Sequence, residues 1–264
     1  MSALLEIEDL RVEFRLDTGT VTAVDGISLA VGEGETLAVV GESGSGKTAT
    51  ALSVLRLNPV PPCVYSGQIR FAGRDLLGIP EKELRRIRGN EIAMIFQDPM
   101  TSLNPLKRVG AQIAEVVRRH RGASRSEARA AVVPALREAG INDAEQRAEY
   151  YPHQLSGGLR QRVMIAMALV GRPRVLIADE PTTALDVTVQ AQILDLLAEL
   201  RERHGMAVVL ITHDLGVVAE IADRVVVMRH GQVVESGDVL TVFEQPGEDY
   251  TRELLRATPR LERA

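Results

Sequence analysis

The sequence Gly41-Glu42-Ser43-Gly44-Ser45-Gly46-Lys47-Thr48 decides the fold of this chain. It satisfies the pattern G-x-x-x-x-G-K-[ST] and follows an apolar run, Thr36-Leu37-Ala38-Val39-Val40, that is typical of a buried strand. The glycines let the backbone curl until successive N–H groups point at one anion, and the helix that begins near Gly46 adds its positive dipole end. We therefore predict a phosphate-binding loop that holds a nucleotide, with Lys47 reaching the β and γ phosphates and the Thr48 hydroxyl ligating Mg²⁺.

Lysine usage singles out the same loop. Of the 31 basic residues only Lys47, Lys82 and Lys107 are lysines, and the rest are arginine. A chain with this bias keeps a lysine where a compact ammonium must sit among phosphates, because a planar guanidinium would not fit there.

Length and charge disfavour several classes of protein. The chain has 264 residues, 45% of them hydrophobic, and can bury a full core as one large α/β domain or a domain with an inserted subdomain. Its formal net charge of −5 disfavours the broad basic face of a nucleic-acid-binding protein. No apolar run approaches ~18 residues and the N-terminus lacks a signal-sequence pattern, so we expect a chain that neither spans a membrane nor is exported.

Periodicity divides the chain into three parts. Alternating patterns in 5–14 and 24–31 predict antiparallel strands ahead of the strand that leads into the loop. From Pro99 to about Gly171 the spacing is helical, whereas apolar strands and a helix alternate after it. We predict an α/β fold with a P-loop NTPase core: a parallel sheet, N-terminal antiparallel β strands and an inserted α-helical subdomain. The predicted parts are 1–98, the first part of the nucleotide-binding core; 99–171, the helical subdomain; and 172–264, the second part of the core with a C-terminal tail.

The single cysteine carries no chemistry in this interpretation. Cys63 follows two prolines, which predicts that it lies in a loop. One thiol can form neither an internal disulfide nor a multi-thiolate metal site, so we treat the residue as incidental.

Two carboxylates follow another apolar run. Val175-Leu176-Ile177-Ala178 is typical of a buried strand, and it precedes Asp179 and Glu180. At the carboxyl end of that strand Asp179 is suited to bind Mg²⁺ through water, and Glu180 to polarise the attacking water. Acidic pairs also cap helices routinely, so this pair gains its weight from the phosphate-binding loop in the same chain.

A second anion-binding helix end is predicted at 155–159, at the start of a long apolar helix. Within Leu155-Ser156-Gly157-Gly158-Leu159, Ser156 fits an N-cap and the two glycines expose the backbone N–H groups of the helix N-terminus. An ordinary cap needs the serine but not two successive glycines, so we interpret the segment as a binding element.

Together these segments resemble the ATP-binding-cassette (ABC) ATPases, whose signature is usually Leu-Ser-Gly-Gly-Gln, with Leu159 here in place of the glutamine. The resemblance covers nearly the whole chain. It implies that Gln97 is the Q-loop glutamine that senses Mg²⁺ and the water, and that His213 is the switch histidine that contacts the γ-phosphate. Phe14 falls where the family stacks an aromatic ring on adenine, and Ala184-Leu185-Asp186 matches the D-loop at the dimer interface. In isolation each of these residues also has an ordinary structural interpretation.

The resemblance thus implies three sets of site residues in this chain. The catalytic set is Glu180, His213, Gln97 and Lys47. The Mg²⁺ set is Thr48, Gln97 and Asp179, and the ATP set is Phe14 with the eight residues of the loop.

Longer segments narrow the resemblance to the oligopeptide, dipeptide and nickel importer subfamily, to which residues 96–105, 151–158 and 178–188 are similar. This implies a peripheral ATPase subunit on the cytoplasmic face of the inner membrane, with ATP and Mg²⁺ as cofactors. Its implied partners are a second ABC ATPase subunit in a homo- or heterodimer, two integral membrane permease subunits and, indirectly, a solute-binding protein; no nucleic acid is implied. Di- or oligopeptides are the expected cargo. Nickel or a metal chelate stays open, because the sequence lacks the C-terminal cysteine cluster of many peptide-type members.

Two contacts between subunits are expected from the same resemblance. Ser156 of one subunit is expected to close over the phosphate-binding loop of its partner, which makes the site a composite of two chains. The segment after Gln97 is expected to contact the membrane subunits, with Leu103 and Leu106 exposed on that docking surface, and ordinary helical packing is the alternative.

Other classes of ABC protein fit less well. Soluble ABC ATPases that act on DNA or ribosomes carry two cassettes per chain or long heptad coiled coils, and this sequence has neither. A catalytically inactive regulatory module is disfavoured because the sequence retains Lys47, Asp179, Glu180 and His213.

Overall fold

The structure is a computed structural model that describes residues 3–183 and 185–257, with the backbone alone at 100 and 101. Ala184, the first residue of the predicted D-loop, lies outside the described residues. Within the described chain, no helix combines the length and the apolar character that crossing a bilayer requires.

The described chain contains strands and helices in an α/β order. The strands are β1 Leu5–Leu16, β2 Gly19–Val31, β3 Thr36–Val40, β4 Cys63–Phe71, β5 Arg74–Asp75, β6 Ile92–Ile95, β7 Val175–Asp179, β8 Ala207–Ile211, β9 Arg224–Arg229 and β10 Gln232–Asp238. The helices are α1 Lys47–Val54, α2 Glu81–Ile87, α3 Pro99–Ser102, α4 Val109–Arg121, α5 Arg125–Glu138, α6 Ala144–Ala148, α7 Gly157–Leu169, α8 Val187–His204, α9 Leu215–Ile221, α10 Val239–Glu244 and α11 Asp249–Ala257. Antiparallel N-terminal strands, parallel strands and a helical insert are therefore all present, and the predicted fold class is confirmed.

One compact unit consists of residues 1–84 and 207–264. Its first sheet is antiparallel, in the order β2-β1-β4-β5. Its second group of strands has the order β10-β9-β3-β8, in which β3 runs parallel to both β8 and β9. Every residue of β3 is buried, which explains why its sequence is apolar without alternation.

The other compact unit consists of residues 85–206. It holds the parallel pair β6 and β7 together with the helices α3 to α8. Helices α4, α5 and α7 pack against one another, and Ile113, Leu136 and Val163 are fully buried. The helical region predicted at 99–171 therefore lies within a unit that also takes in two strands and α8, while the predicted boundaries at 98 and 171 stay a prediction.

Side-chain caps explain where the helices of this second unit begin. Ser124 accepts a hydrogen bond from the Glu127 N–H, and the Glu127 side chain accepts one from the Ser124 N–H, which forms a capping box at the start of α5. The hydrogen bonds from Ser124 lower the pKa of Glu127. At the start of α8 the Asp186 side chain accepts the Val189 N–H at 3.0 Å, and Gly205 ends that helix in the left-handed conformation.

The interpretation of Cys63 as a loop residue is wrong. Cys63 is the first residue of β4, where it pairs with Phe14 of β1, and it is only 5% exposed. The prolines before it end the loop rather than extend it, because the partner strand already offers ladder hydrogen bonds at this position. Burial raises the pKa of the thiol, which disfavours the reactive thiolate and leaves the residue without assigned chemistry.

The expectation that Leu103 is exposed for docking is also wrong, whereas Leu106 is exposed as expected. Leu103 is 2% exposed and Leu106 is 86% exposed. Leu103 directly follows the short helix α3 and is tied to it, because its N–H donates to the Pro99 carbonyl, whereas Leu106 lies further on in an irregular segment. Only Leu106 therefore remains a candidate for the docking surface.

The two leucines give a matched pair for a stability measurement. Leu103→Asp places a carboxylate in an apolar interior and should cost roughly 2–5 kcal/mol of unfolding free energy. Leu106→Asp should change it by less than about 0.5 kcal/mol, since that side chain lies in solvent. Urea unfolding of both variants measures the difference, and equal losses would contradict the burial of Leu103.

Candidate nucleotide-binding site

Two glycines of the loop at 41–48 lie so close to neighbouring backbone that no side chain fits. A Cβ on Gly41 would overlap the carbonyl oxygen of Met228, at the end of β9, and one on Gly46 would overlap the carbonyl oxygen of Ala23, in β2. Both glycines also have positive φ, 148° and 101°. The loop is therefore confined between β2 and β9, and glycine is required on steric as well as conformational grounds.

A chain of backbone hydrogen bonds holds the loop in that place. The Gly231 N–H, in the turn between β9 and β10, donates to the Ser45 carbonyl at 3.0 Å. The Gly231 carbonyl in turn accepts the Asp25 N–H of β2 at 2.8 Å. Helix α1 then begins at Lys47 with Gly46 as its N-cap, as predicted. The positive end of a helix thus opens directly onto the loop, which is the arrangement that binds phosphate.

The Lys47 ammonium lies within the loop and contacts its oxygens. Its Nζ donates to the carbonyls of Gly41 and Glu42 at 2.7 and 2.8 Å and to Ser45 Oγ at 3.3 Å, and the residue is 6% exposed. These are neutral acceptors. A phosphate oxygen carries negative charge and forms stronger hydrogen bonds with an ammonium, so it can compete for this donor.

His213 lies at the same edge of the parallel strands as the loop. Val39 of β3 is in register with Ile211 of β8, so the segments that follow both strands emerge side by side. His213 itself is exposed. The neighbouring Asp214 caps α9 and donates its own N–H to Thr212 Oγ1 at 3.0 Å, which fixes the backbone on the far side of the histidine.

Phe14 lies on the antiparallel sheet of this unit. It belongs to β1, pairs with Val21 of β2 and is half-buried, so part of its ring faces solvent. A role in stacking on adenine stays a prediction.

Gln97 and Glu180 meet in the unit formed by 85–206. Strands β6 and β7 run parallel with Ile95 opposite Ala178, so their carboxyl ends meet, and Gln97 Nε2 donates to Glu180 Oε2 at 2.8 Å. Thr183 Oγ1 donates to the same carboxylate oxygen at 2.8 Å. Two donors on one oxygen fix the direction of the carboxylate. Sequence reasoning missed Thr183, whose only signal was its place three residues after the glutamate.

Glu180 also has an unusual backbone conformation. Its φ is +45°, in the left-handed region that a residue with a Cβ rarely adopts. The preceding Asp179 ends β7 and is 2% exposed, as predicted for a carboxylate at the carboxyl end of a buried strand. Strain of this kind persists where the surrounding structure enforces it and concentrates at functional sites.

The serine and glycines at 156–158 form a capped helix end in the same unit. Ser156 Oγ accepts the Leu159 N–H at 3.4 Å, so the predicted N-cap of α7 is confirmed. A Cβ on Gly158 would lie 2.7 Å from Val189 Cγ1 of α8, which gives this glycine a packing role that sequence reasoning did not find. The exposed Gly157 and Ser156 remain the candidates for contact with an anion.

A contact to the loop from the C-terminal helix was also missed. The Glu42 N–H donates to the hydroxyl of Tyr250, 208 residues away, at 3.2 Å. The sequence around Tyr250 carries a helical pattern but no signal that links it to the loop. The unit formed by 1–84 and 207–264 therefore brings together the loop, Tyr250 and the edge that carries His213. The other unit brings together Gln97, Asp179 and Glu180, and it also carries Ser156.

Comparison with known proteins shows the family of the chain. The profile of the ABC transporter family matches residues 24–183. The peptidoglycan transport ATP-binding protein YejF of Agrobacterium fabrum is 54% identical over 97% of this chain, but the chain spans only 47% of that protein. The oligopeptide transport ATP-binding protein OppD of Bacillus subtilis is 51% identical over 99% of this chain and 74% of its own length. A dimeric post-hydrolysis structure of the ATP-binding cassette MJ0796, bound to ADP and Pi, matches 89% of this chain and 98% of that chain with 28% identity and a TM-score of 0.78.

Alanine substitutions at Gly41 and Gly44 distinguish a steric requirement for glycine from a conformational one. Gly41→Ala should weaken ATP binding at least roughly tenfold or unfold the unit, because a Cβ there collides with backbone that cannot move aside. No heavy atom lies within 4 Å of a Cβ on Gly44, so Gly44→Ala should cost only about 1 kcal/mol for its positive φ. Calorimetric ATP titration together with thermal unfolding measures both, and equal effects would contradict the close approach at Gly41.

Proposed function

The chain belongs to the ABC transporter family and is one of its ATPases, and on that premise we propose that it powers the uptake of di- or oligopeptides across the cytoplasmic membrane. The ATPase assignment is supported above all by the loop confined around Gly41 and Gly46, at the N-terminus of α1. The cargo is supported by the OppD relative, which is named for oligopeptide transport. Import of nickel or a metal chelate is the alternative that an uptake measurement must separate.

The residues of this chain supply a route for hydrolysis of the γ-phosphate. The loop N–H groups and Lys47 bind the phosphates and offset charge that develops on the phosphoryl group during transfer. Glu180 accepts a proton from the attacking water, and the hydrogen bonds from Gln97 and Thr183 hold its carboxylate in one direction. His213 contacts the γ-phosphate from the segment that follows β8, which pairs with β3. Glu180 and His213 both follow the ends of strands, so rigid elements of the fold hold the groups that act on the phosphate.

Mg²⁺ is the metal that these residues suit. Among the residues that the structure describes, no group of three or more His, Cys, Asp or Glu side chains is arranged to hold a metal ion. The hydroxyl of Thr48, the amide of Gln97 and the carboxylate of Asp179 suit Mg²⁺, which keeps several waters and is bound through one or two carboxylates plus substrate phosphates. Thr48, Gln97 and Asp179 are the proposed ligands, and the ion would offset negative charge on the phosphate oxygens.

The capped helix end at Ser156 supports a second ATPase subunit as the partner. A helix N-terminus with a small, exposed residue after the cap can approach an anion closely, and a second ATPase subunit would present this end to the γ-phosphate of its neighbour. The dimer described for MJ0796 supports such pairing. We further propose that the pair attaches to two permease subunits on the cytoplasmic face of the membrane, with a solute-binding protein delivering cargo and without nucleic acid.

The role of Glu180 is tested by removing its basicity alone. Glu180→Gln should keep ATP binding within about threefold and slow hydrolysis by roughly 10²–10⁴-fold, since the amide can hold a water but cannot take its proton. Thr183→Val is the matched control: it keeps the carboxylate, loses one orienting hydrogen bond and should slow hydrolysis only about 2- to 10-fold. Single-turnover hydrolysis with the partner subunits present measures both. A Glu180→Gln variant as fast as wild type would exclude Glu180 as the base.

The cargo is tested by uptake in the host cell. Lys47→Ala removes a charge-assisted phosphate contact and should lower uptake of labelled di- and oligopeptides roughly tenfold or more, while nickel uptake stays unchanged. Lys82→Ala is the control, since Lys82 is an exposed lysine outside the loop. Loss of nickel uptake alone would replace peptides by the metal as cargo, and loss of neither would reject both.

A further inference from the structure

Tyr250 is buried beneath the phosphate-binding loop by the C-terminal part of the chain. It is the second residue of α11 and is 5% exposed. Its ring belongs to a buried cluster built from β3, β9 and the C-terminal helices: Ala38, Val40, Leu215, Val218, Val225, Val227, Val239, Val242 and Tyr250. The Arg229 guanidinium lies over the ring, 4.6 Å from its centre, and covers it from the end of β9.

The position of the tyrosine is fixed from the strand side as well. The Glu235 carboxylate, in β10, accepts the Gly247 N–H at 2.7 Å and the Glu248 N–H at 3.3 Å. These bonds anchor the segment that leads into α11. Because the ring is packed and the preceding segment is tied down, the hydroxyl has little freedom to leave its partner.

That partner is one half of a peptide group whose other half is held by Lys47. The Gly41 carbonyl accepts the Lys47 ammonium at 2.7 Å, and the Glu42 N–H of the same peptide donates to the Tyr250 hydroxyl at 3.2 Å. Gly41 has no Cβ, so its side of the peptide lacks the steric restraint that a side chain adds to the backbone torsions. The two hydrogen bonds therefore oppose a flip of the peptide from its two ends.

Phosphate binding removes one of these two restraints. The Lys47 ammonium contacts the Gly41 and Glu42 carbonyls, and it must turn from them at least in part to reach a phosphate oxygen. The tyrosine bond does not depend on that movement. The hydrogen bond to Tyr250 can therefore hold the peptide between Gly41 and Glu42 in place while the Lys47 ammonium changes its acceptors.

We propose that Tyr250 is a positioning residue of the nucleotide site, and that its hydroxyl keeps the Gly41–Glu42 peptide oriented when Lys47 turns to the phosphates. The inference rests on the proposed role of the loop in binding ATP. It makes the C-terminal helix a part of the nucleotide site although Tyr250 touches no substrate. Loss of the hydroxyl should weaken nucleotide binding and leave the chemical step intact.

The experiment removes one oxygen atom. Tyr250→Phe keeps the packed ring and should raise the KM for ATP about 3- to 10-fold, the effect of one neutral hydrogen bond, with kcat within twofold of wild type. The Kd for ADP, which also occupies the loop, should rise by a similar factor. The full chain is used with its partner subunits, and a thermal unfolding curve is recorded for each variant.

Val242→Ala is the matched control for packing. Val242 is 4% exposed in the same cluster, so truncation should lower the Tm at least as much as Tyr250→Phe while leaving the KM within about 1.5-fold. A KM that rises equally in both variants, in step with lost stability, would overturn the positioning role. So would an unchanged KM in Tyr250→Phe when wild type binds ATP normally. Failure of wild type to bind ATP would instead reject the nucleotide site itself.

Discussion

The close approach of β2 and β9 to the loop is the constraint on which the nucleotide site depends. Carbonyl oxygens of Ala23 and Met228 occupy the space that side chains on Gly46 and Gly41 would need. The turn at Gly231 then ties the loop to β2 through backbone hydrogen bonds. A loop confined in this way keeps its N–H groups in place before the phosphate arrives, so binding does not have to provide the full entropy cost of ordering them.

The proposed base, Glu180, is oriented by its backbone conformation and by hydrogen bonds to its carboxylate. Glu180 sits in a left-handed backbone conformation, which costs of order 1–3 kcal/mol for a residue with a Cβ, and that cost is met by the strand before it and the hydrogen bonds around it. Gln97 comes from the neighbouring strand end and Thr183 from the turn that follows. The carboxylate is therefore oriented by groups from two elements, and movement of the Gln97 segment can alter its direction without altering Glu180 itself.

The errors of sequence interpretation share a cause. Leu103 and Leu106 have the same chemistry and lie three residues apart, yet one is buried and the other exposed, because a short helix ends immediately before the first of them. Cys63 follows two prolines and still begins a strand, because β1 lies alongside to pair with it. The sequence pattern at Gly158 predicts a binding residue and gives no sign of its packing role, although Val189 of α8 leaves no space for a side chain there. For Cys63 and Gly158 the residue that decides the structure is distant in sequence. For the two leucines the cause is the end of a helix, which hydrophobic periodicity does not locate.

The sequence alone was enough to predict the features that depend on residues close together in the chain. The glycine-rich loop after a buried strand, the Ser156 cap and the position of Asp179 at the end of β7 were all predictable, since backbone freedom, side-chain caps and apolar runs act over short distances. Family membership followed from the order of those segments. Only the tertiary structure decided that Thr183 and Gln97 share one oxygen of Glu180 and that Tyr250 holds the peptide between Gly41 and Glu42. A hydrogen bond between residues 208 positions apart leaves no local pattern, because it exists only once the strands and helices between them have packed.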